Sequence, residues 1–66
     1  MDKASFTAAV AEYQNMVFRT ALHSLGCRSD ADDAVQEVFL RLYQHGKGFE
    51  NGEHLRRWLL RVTVNY

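Results

Sequence analysis

Residues 30–43, DADDAVQEVFLRLY, carry the strongest structural signal in this 66-residue chain. Apolar side chains recur there at spacings of three or four residues, which is the period of one face of an α-helix. Acidic residues fill the first turn, where they suit the positive end of the helix dipole. Ser29 or Asp30 is the expected N-cap, and Gly46 is expected to close the helix. The apolar residues that repeat on one face are Ala31, Val35, Val38 and Leu42.

A second helix is predicted ahead of this segment, over residues 5–25. Ser5 is a plausible N-cap, since its hydroxyl can accept from an otherwise unpaired N–H of the first turn. Gly26 follows the pattern and tolerates a left-handed exit from the helix. The residues at helical spacing are Phe6, Val10, Tyr13, Val17, Ala21 and Leu25.

A third helix is predicted from Glu53 onward, after a glycine-rich loop over residues 45–52 that carries Phe49. The β-branched run at residues 62–64 would also suit a strand, but the longer pattern favours a helix. Tyr66 is followed by no capping signal, so we expect the third helix to be truncated there. The residues at helical spacing are Leu55, Leu59, Val62 and Tyr66.

Length and composition set the class of protein. A chain of this size makes one small domain, expected over residues 1–66, and three amphipathic helices with short connections predict a compact all-α three-helix bundle. Cys27 is the lone cysteine, which points to a reducing cytoplasm. No apolar run approaches the ~20 residues that cross a bilayer, so no membrane insertion is expected.

The charge is balanced overall but unevenly distributed. Eight Lys and Arg residues match eight Asp and Glu residues. Two segments of opposite sign should therefore prefer different partners. The acidic segment holds Asp30, Asp32, Asp33 and Glu37, and the basic segment holds Arg56, Arg57 and Arg61.

No catalytic machinery can be argued from the sequence. His23, His45, His54 and Cys27 lack the spacing of metal ligands, and the acidic segment lacks the glycine-punctuated loop of a calcium site. No glycine-rich phosphate loop or nucleophile elbow is present, so we expect no enzyme, no metal and no cofactor.

A loop aromatic followed by an arginine-bearing helix is a combination that binds single-stranded nucleic acid, through stacking and phosphate contacts. Trp58 and Phe39 could also stack on bases. Each lies beside core-facing positions of its helix, however, so packing is the favoured role for both. Phe49 escapes that objection because it lies in the loop.

At this point the sequence resembles a known family. Residues 30–43 closely resemble the acidic polymerase-docking helix of the extracytoplasmic-function sigma factors of bacteria. Phe49 and residues 55–65, LRRWLLRVTVN, resemble the promoter-melting segment of the same family, and the helix around Tyr13 and Gln14 looks like its opening helix. The resemblance implies a region-two domain, the part of a sigma factor that joins core RNA polymerase and opens promoter DNA.

The resemblance also assigns residues. It places Asp33, Gln36, Glu37 and Leu40 where the family docks on the β′ clamp coiled coil, and helical spacing independently puts these four on one side of the helix. It implies that Phe49, Glu50 and Asn51 hold a flipped base of the non-template strand at the minus-ten element, and that Asn65 reads neighbouring bases. Arg57, Arg61 and Asn65 share one helix face at four-residue spacing.

Two other interpretations remain. The chain could serve only as an interaction module for an anti-sigma regulator, which is also a probable partner of the sigma factor itself. It could instead be a duplex-reading helix-turn-helix repressor, although the turn between the last two helices is short in that motif and long here. The helix-turn-helix domain that reads the minus-thirty-five element in the family does not occur in these residues.

Overall fold

The computed structural model describes residues 1–45 and 48–66. Within these residues the chain forms three α-helices: α1 (Lys3–Leu25), α2 (Arg28–Gln44) and α3 (Gly52–Val64). The predicted all-α three-helix bundle is confirmed. No helix in the described part of the chain is long and apolar enough to cross a membrane.

Helix α1 begins two residues earlier than predicted, and Ser5 is not its cap. Asp2 is the N-cap, and its carboxylate accepts a hydrogen bond from the Ser5 backbone N–H at 3.3 Å. Hydrogen bonding to Ser5 lowers the pKa of the Asp2 carboxyl group. As an N-cap, the Asp2 carboxylate has an advantage over the Ser5 hydroxyl, because an anion also interacts favourably with the positive end of the helix dipole.

The turn between α1 and α2 is short because Gly26 adopts a left-handed conformation, with φ of 72°. Its N–H donates to the Leu22 carbonyl at 2.8 Å, as the sequence predicted for a glycine C-cap. Helix α2 then begins at Arg28, so the predicted N-caps Ser29 and Asp30 are wrong. Cys27 is the N-cap residue and makes no side-chain capping bond. The tight turn brings the chain into helical geometry before Ser29 is reached.

Helix α2 ends at Gln44, and His45 leaves it in an extended conformation. The His45 N–H donates to the Leu42 carbonyl at 3.1 Å, which closes the last turn. The predicted terminator, Gly46, lies outside the described residues.

The core has two parts along the α1–α2 pair. At one end, small residues bring the two helices close together, with Phe18 and Leu22 packed alongside. At the other end, larger side chains fill the space among all three helices, where α3 completes the core. Full burial of one aliphatic side chain contributes roughly 1.5–3 kcal/mol, so this second part is the main source of stability. The small residues are Ala21, Ala31 and Ala34, and the large fully buried side chains are Val17, Val38, Leu42 and Leu59.

The predicted apolar faces are largely, but not wholly, the core. Leu25 and Tyr66 were expected inside and are exposed, at 39% and 48%. Leu25 is the last residue of α1 and Tyr66 follows α3, so no neighbouring helix covers either. The run at residues 62–64 is helical rather than extended. Thr63 is buried there with its hydroxyl donating to the Leu59 carbonyl at 2.6 Å, which satisfies the polar group.

Candidate functional site

The acidic face of α2 consists of Asp33, Gln36, Glu37 and Leu40. The structure places Asp33, Gln36 and Leu40 in solvent, whereas Glu37 is half-buried. Leu40 is 50% exposed and lies at the C-terminal end of this face. The four residues are therefore available together on one helix, as helical spacing predicted.

Glu37 is already partly engaged within the chain. The Arg41 Nε lies 3.0 Å from Glu37 Oε2, one turn further along α2. Both side chains keep 40% or more of their surface in solvent, so the pair adds a few tenths of a kcal/mol to the helix. This ion pair limits the rotamers of the Glu37 carboxylate and fixes where its charge is presented.

The segment before α3 is organised by reciprocal hydrogen bonds. Asn51 is the N-cap of α3, and its Oδ1 accepts from the His54 backbone N–H at 2.8 Å. In return, the Glu50 backbone N–H donates to Nδ1 of the His54 ring at 3.1 Å. This arrangement resembles a capping box, in which the side chain three residues into the helix bonds back to the cap region.

Phe49 is not free in solvent, although the sequence places it in a loop and exempts it from the packing role favoured for Trp58 and Phe39. It is half-buried and packs against the main core cluster. The His45 ring stacks on it at 5.0 Å with an interplanar angle of 19°, and the His54 ring meets it edge-on at 5.2 Å. Trp58 forms a third contact at 5.7 Å. A loop aromatic between two helix ends is drawn inward because its apolar surface favours burial.

The other two candidate rings pack as expected. Phe39 is buried, with 6% of its surface exposed, and contacts the edge of Phe6 at 6.5 Å. Trp58 is half-buried, packs against the main core cluster and lies 5.0 Å from the His45 ring. These contacts are consistent with a packing role for both residues.

A cavity of about 550 Å³ lies between the first half of α1 and the segment that precedes α3. Phe49 and Asn51 line one wall, and Glu12 and Tyr13 line the opposite wall. A volume of this size is within the range of small-molecule pockets, and its mixture of aromatic and polar groups suits a flat, hydrogen-bonding ligand. The cavity brings together two of the residues that the sequence assigned to the loop site.

Tyr13 joins α1 to the start of α3. Its hydroxyl donates to the Gly52 carbonyl at 3.3 Å, across 39 positions of sequence. A hydrogen bond with Glu12 raises the pKa of the Tyr13 hydroxyl, and desolvation of that hydroxyl acts in the same direction. The sequence had placed Tyr13 only on a core-facing stripe and in the opening helix, so this contact was missed.

The arginines of α3 differ in their surroundings. Arg56 and Arg57 lie 3.8 Å and 3.9 Å from the same carboxylate, that of Glu53, at the long end of the range for ion pairs. Arg61 is exposed, and within residues 1–45 and 48–66 no ion pair involves it. Arg61 therefore presents a full charge to solvent, while the charge of Arg57 is partly offset.

Asn65 lies just beyond the end of α3 rather than within the helix. It is the C-cap residue, and its N–H donates to the Arg61 carbonyl at 3.1 Å, while the Tyr66 N–H donates to the Thr63 carbonyl at 3.3 Å. Its side chain is exposed, directly after the helix that carries Arg57 and Arg61.

His45 and His54 are the residues that sequence reasoning passed over. Their spacing argues against metal binding and indicates no other role, yet both pack on Phe49. The spacing Asn51-x-x-His54 was the available signal for His54, because it matches a helix N-cap and the third residue of the first turn. The position of His45 depends on the path of the chain after α2, and no sequence pattern indicates it.

Comparisons with known proteins identify the family. The family model described as Sigma-70 region 2 matches residues 9–66. The chain belongs to this family, and the resemblance to extracytoplasmic-function sigma factors is confirmed. No significant match was found among solved structures.

The most similar relatives include the ECF RNA polymerase sigma-E factor of Haemophilus influenzae, 34% identical over 97% of this chain and 33% of the relative. The ECF RNA polymerase sigma factor SigG of Mycobacterium tuberculosis is 32% identical over 96% of this chain and 17% of the relative. The ECF RNA polymerase sigma factor SigW of Bacillus subtilis is 28% identical over 97% of this chain and 34% of the relative. The chain thus spans about a third or less of the length of these relatives.

Proposed function

We propose that residues 1–66 form a non-enzymatic sigma factor domain that docks on core RNA polymerase and captures the non-template strand of the minus-ten promoter element. The family match supports a role in transcription initiation. The observation that carries the DNA-binding part is the cavity beside Phe49 and Asn51, because it offers an aromatic wall and polar groups in one place.

Docking uses the acidic face of α2 and the β′ clamp coiled coil as its partner. Asp33 and Glu37 supply negative charge, Gln36 supplies an amide, and the exposed Leu40 supplies apolar surface. Such a surface suits a basic, partly apolar helix, since charge complementarity speeds encounter and apolar burial slows dissociation. The relatives are named as RNA polymerase sigma factors, which supports this choice of partner.

Base capture uses the segment of Phe49, Glu50 and Asn51. Taking a base out of its stack costs a few kcal/mol, which stacking and hydrogen bonds to the exposed base edge can offset. The NH2 group of Asn51 remains available in this arrangement, because only its Oδ1 is used to cap α3. Melting then proceeds by trapping the unpaired strand and needs no nucleotide hydrolysis.

The last turns of α3 extend this surface along the strand. Arg61 contacts phosphate, with Arg57 as a weaker second contact because Glu53 competes for it. Asn65 contacts base edges, since an amide both donates and accepts hydrogen bonds. In this assignment the arginines contribute affinity and the asparagine contributes sequence preference.

The test combines two binding measurements on the same chain. We expect core RNA polymerase to retain the chain in a pull-down, and the resulting complex to bind single-stranded DNA more tightly than duplex in fluorescence anisotropy. Retention by an anti-sigma protein without retention by polymerase would instead favour the interaction-module alternative. Tighter binding to duplex would favour a helix-turn-helix reader.

A further inference from the structure

His54 is the one described residue whose contacts reach all three residues of the proposed base-capture segment. Its ring Nδ1 accepts from the Glu50 N–H at 3.1 Å, and its backbone N–H donates to Asn51 Oδ1 at 2.8 Å. The same ring lies edge-on against Phe49, 5.2 Å between centroids. One side chain at the start of α3 therefore couples the helix to the loop.

From these contacts we infer that His54 is a positioning residue for base capture, and that it holds the segment only while its Nδ1 is unprotonated. The inference rests on the proposed function, because it assigns His54 a part in shaping that site. His54 is not placed in contact with DNA.

The chemistry of the imidazole ring makes the contact sensitive to protonation. An N–H group donates only to a nitrogen that carries a lone pair, and in the imidazolium both ring nitrogens are donors. Proton uptake by His54 thus removes the acceptor for Glu50 N–H. Histidine is the side chain that ordinarily changes charge between pH 5 and 8, so this is the interval in which the contact is tested.

Several other charged and titratable groups surround His54. Glu50, Glu53 and Arg57 lie near it along its own segment and helix. His45, which follows the end of α2, stacks on the Phe49 ring, the same ring that His54 contacts edge-on. Tyr13 approaches from α1 through its bond to Gly52, with Glu12 beside it. Among these, His45 carries the other imidazole ring, so its contribution has to be separated experimentally.

Glutamine at this position separates positioning from titration. Gln is favoured three residues after an N-cap, because its carbonyl can accept from the cap region without changing charge. We expect His54→Gln to keep the Glu50 contact at every pH, whereas His54→Ala removes it at every pH. His23, which is exposed near the end of α1, provides the matched control His23→Gln.

The first measurement does not involve DNA. Amide hydrogen exchange and the ¹⁵N shift of the Glu50 N–H are followed by NMR from pH 8 to pH 5. Protection of Glu50 should fall with pH in wild type, in His45→Gln and in His23→Gln. It should stay constant and high in His54→Gln, and constant and low in His54→Ala. The inference is overturned if the protection of the Glu50 amide in wild type does not change with pH. It is also overturned if that protection is low in His54→Gln.

The second measurement is the affinity of the same variants for oligo-dC and oligo-dT of about 12 nucleotides, a typical span for a small single-strand site. At pH 8, His54→Ala should bind about five-fold more weakly than wild type, the factor that corresponds to one hydrogen bond of about 1 kcal/mol. The ratio of the His54→Gln affinity to the wild-type affinity should be higher at pH 5.5 than at pH 8.

The DNA result distinguishes the two proposals. If Phe49→Ala weakens binding and His54→Ala does not, base capture stands and the positioning role is overturned. If neither variant weakens binding, base capture itself is wrong, and so is the role of His54 in it. The exchange of the Glu50 amide still reports whether the hydrogen bond from Glu50 N–H to His54 Nδ1 exists.

Discussion

The Glu37 carboxylate and the Arg41 guanidinium form an ion pair, 3.0 Å from Oε2 to Nε, within the proposed docking face of α2. A basic partner must therefore compete with Arg41 for this carboxylate. Because both side chains are exposed, the competition is weak and the pair mainly orients the acid. Glu37 is thus the most informative residue at which to test docking.

Reversing the charge at Glu37 tests the polymerase surface. Glu37→Lys should weaken binding to core RNA polymerase roughly ten-fold, or about 1.4 kcal/mol, because it places a cation against a basic partner and beside Arg41. Glu12→Lys on α1 is the matched control, since Glu12 lies beside the cavity and outside the docking face. Pull-down titrations and helix content by circular dichroism give the readouts. Equal affinity of the two folded variants would remove Glu37 from the interface.

Truncating Trp58 tests the role of the ring in packing. Trp58→Ala should destabilise the domain by about 3 kcal/mol, the low end for loss of a large aromatic, because the ring is half-buried. Tyr66→Ala, at an exposed terminal aromatic, should change the free energy of unfolding by no more than about 0.5 kcal/mol. Urea denaturation measures both. A stable Trp58→Ala protein that has lost DNA binding would reassign the ring to base stacking.

Substitutions at Phe49 separate folding from capture. Since the ring packs on His45, His54 and Trp58, Phe49→Ala should lower stability as well as single-strand affinity. Phe49→Leu keeps apolar volume without an aromatic face, so it should recover most of the stability and little of the affinity. The expected loss of stacking is roughly 1–3 kcal/mol per base. Full affinity in Phe49→Leu would show that the ring acts through packing alone.

Arg61 and Asn65 should differ in their dependence on salt and sequence. Arg61→Ala should weaken all single strands alike and reduce the slope of log affinity against log salt by about 0.7, the value for one phosphate contact on a single strand. Asn65→Ala should leave the slope unchanged and reduce the preference among base sequences. Affinity measured against salt for several oligonucleotides checks both. A sequence-specific loss in Arg61→Ala would contradict its assignment to phosphate.

The cap of α1 predicts a dependence on pH. The pKa of Asp2 is lowered in the folded chain by its bond with Ser5, so folding favours the carboxylate. Its contribution is fully present above the unfolded pKa, near the ordinary value of 3.8, and is lost as pH falls through the lowered folded value. Asp2→Asn should show a flatter loss of helicity below about pH 4 than wild type. Circular dichroism at low pH distinguishes them, and identical acid profiles would mean that the cap does not form in solution.

The helices could be predicted from the sequence because apolar periodicity reports the buried face of each one. Their starts could not, since Asp2 and Ser5 are both good caps by residue type and only the path of the backbone selects between them. Cys27 illustrates the same point, because a tight glycine turn placed it at the start of α2 without any capping preference.

The candidate site was predictable in its residues and not in its geometry. The positions of Phe49, Glu50 and Asn51 followed from the resemblance, whereas the inward turn of the Phe49 ring depends on contacts with Trp58 of α3 and with His45, the residue after α2. Sequence spacing describes one helix at a time, so contacts that join helix ends, such as Tyr13 to Gly52, remain invisible to it.

The bond between Tyr13 and Gly52 has a consequence for how the molecule opens. Helix α3 has 13 residues, too few to be stable alone in water, so it persists only while docked on the α1–α2 pair. Breaking a few tertiary contacts at its start should release α3 as one cooperative unit, with a lower opening free energy than that of α1 and α2. Hydrogen exchange would then show early loss of protection in α3 while α1 and α2 persist. Helix α2, which carries the proposed docking face, would thus stay folded while α3, which carries the proposed DNA contacts, unfolds and refolds.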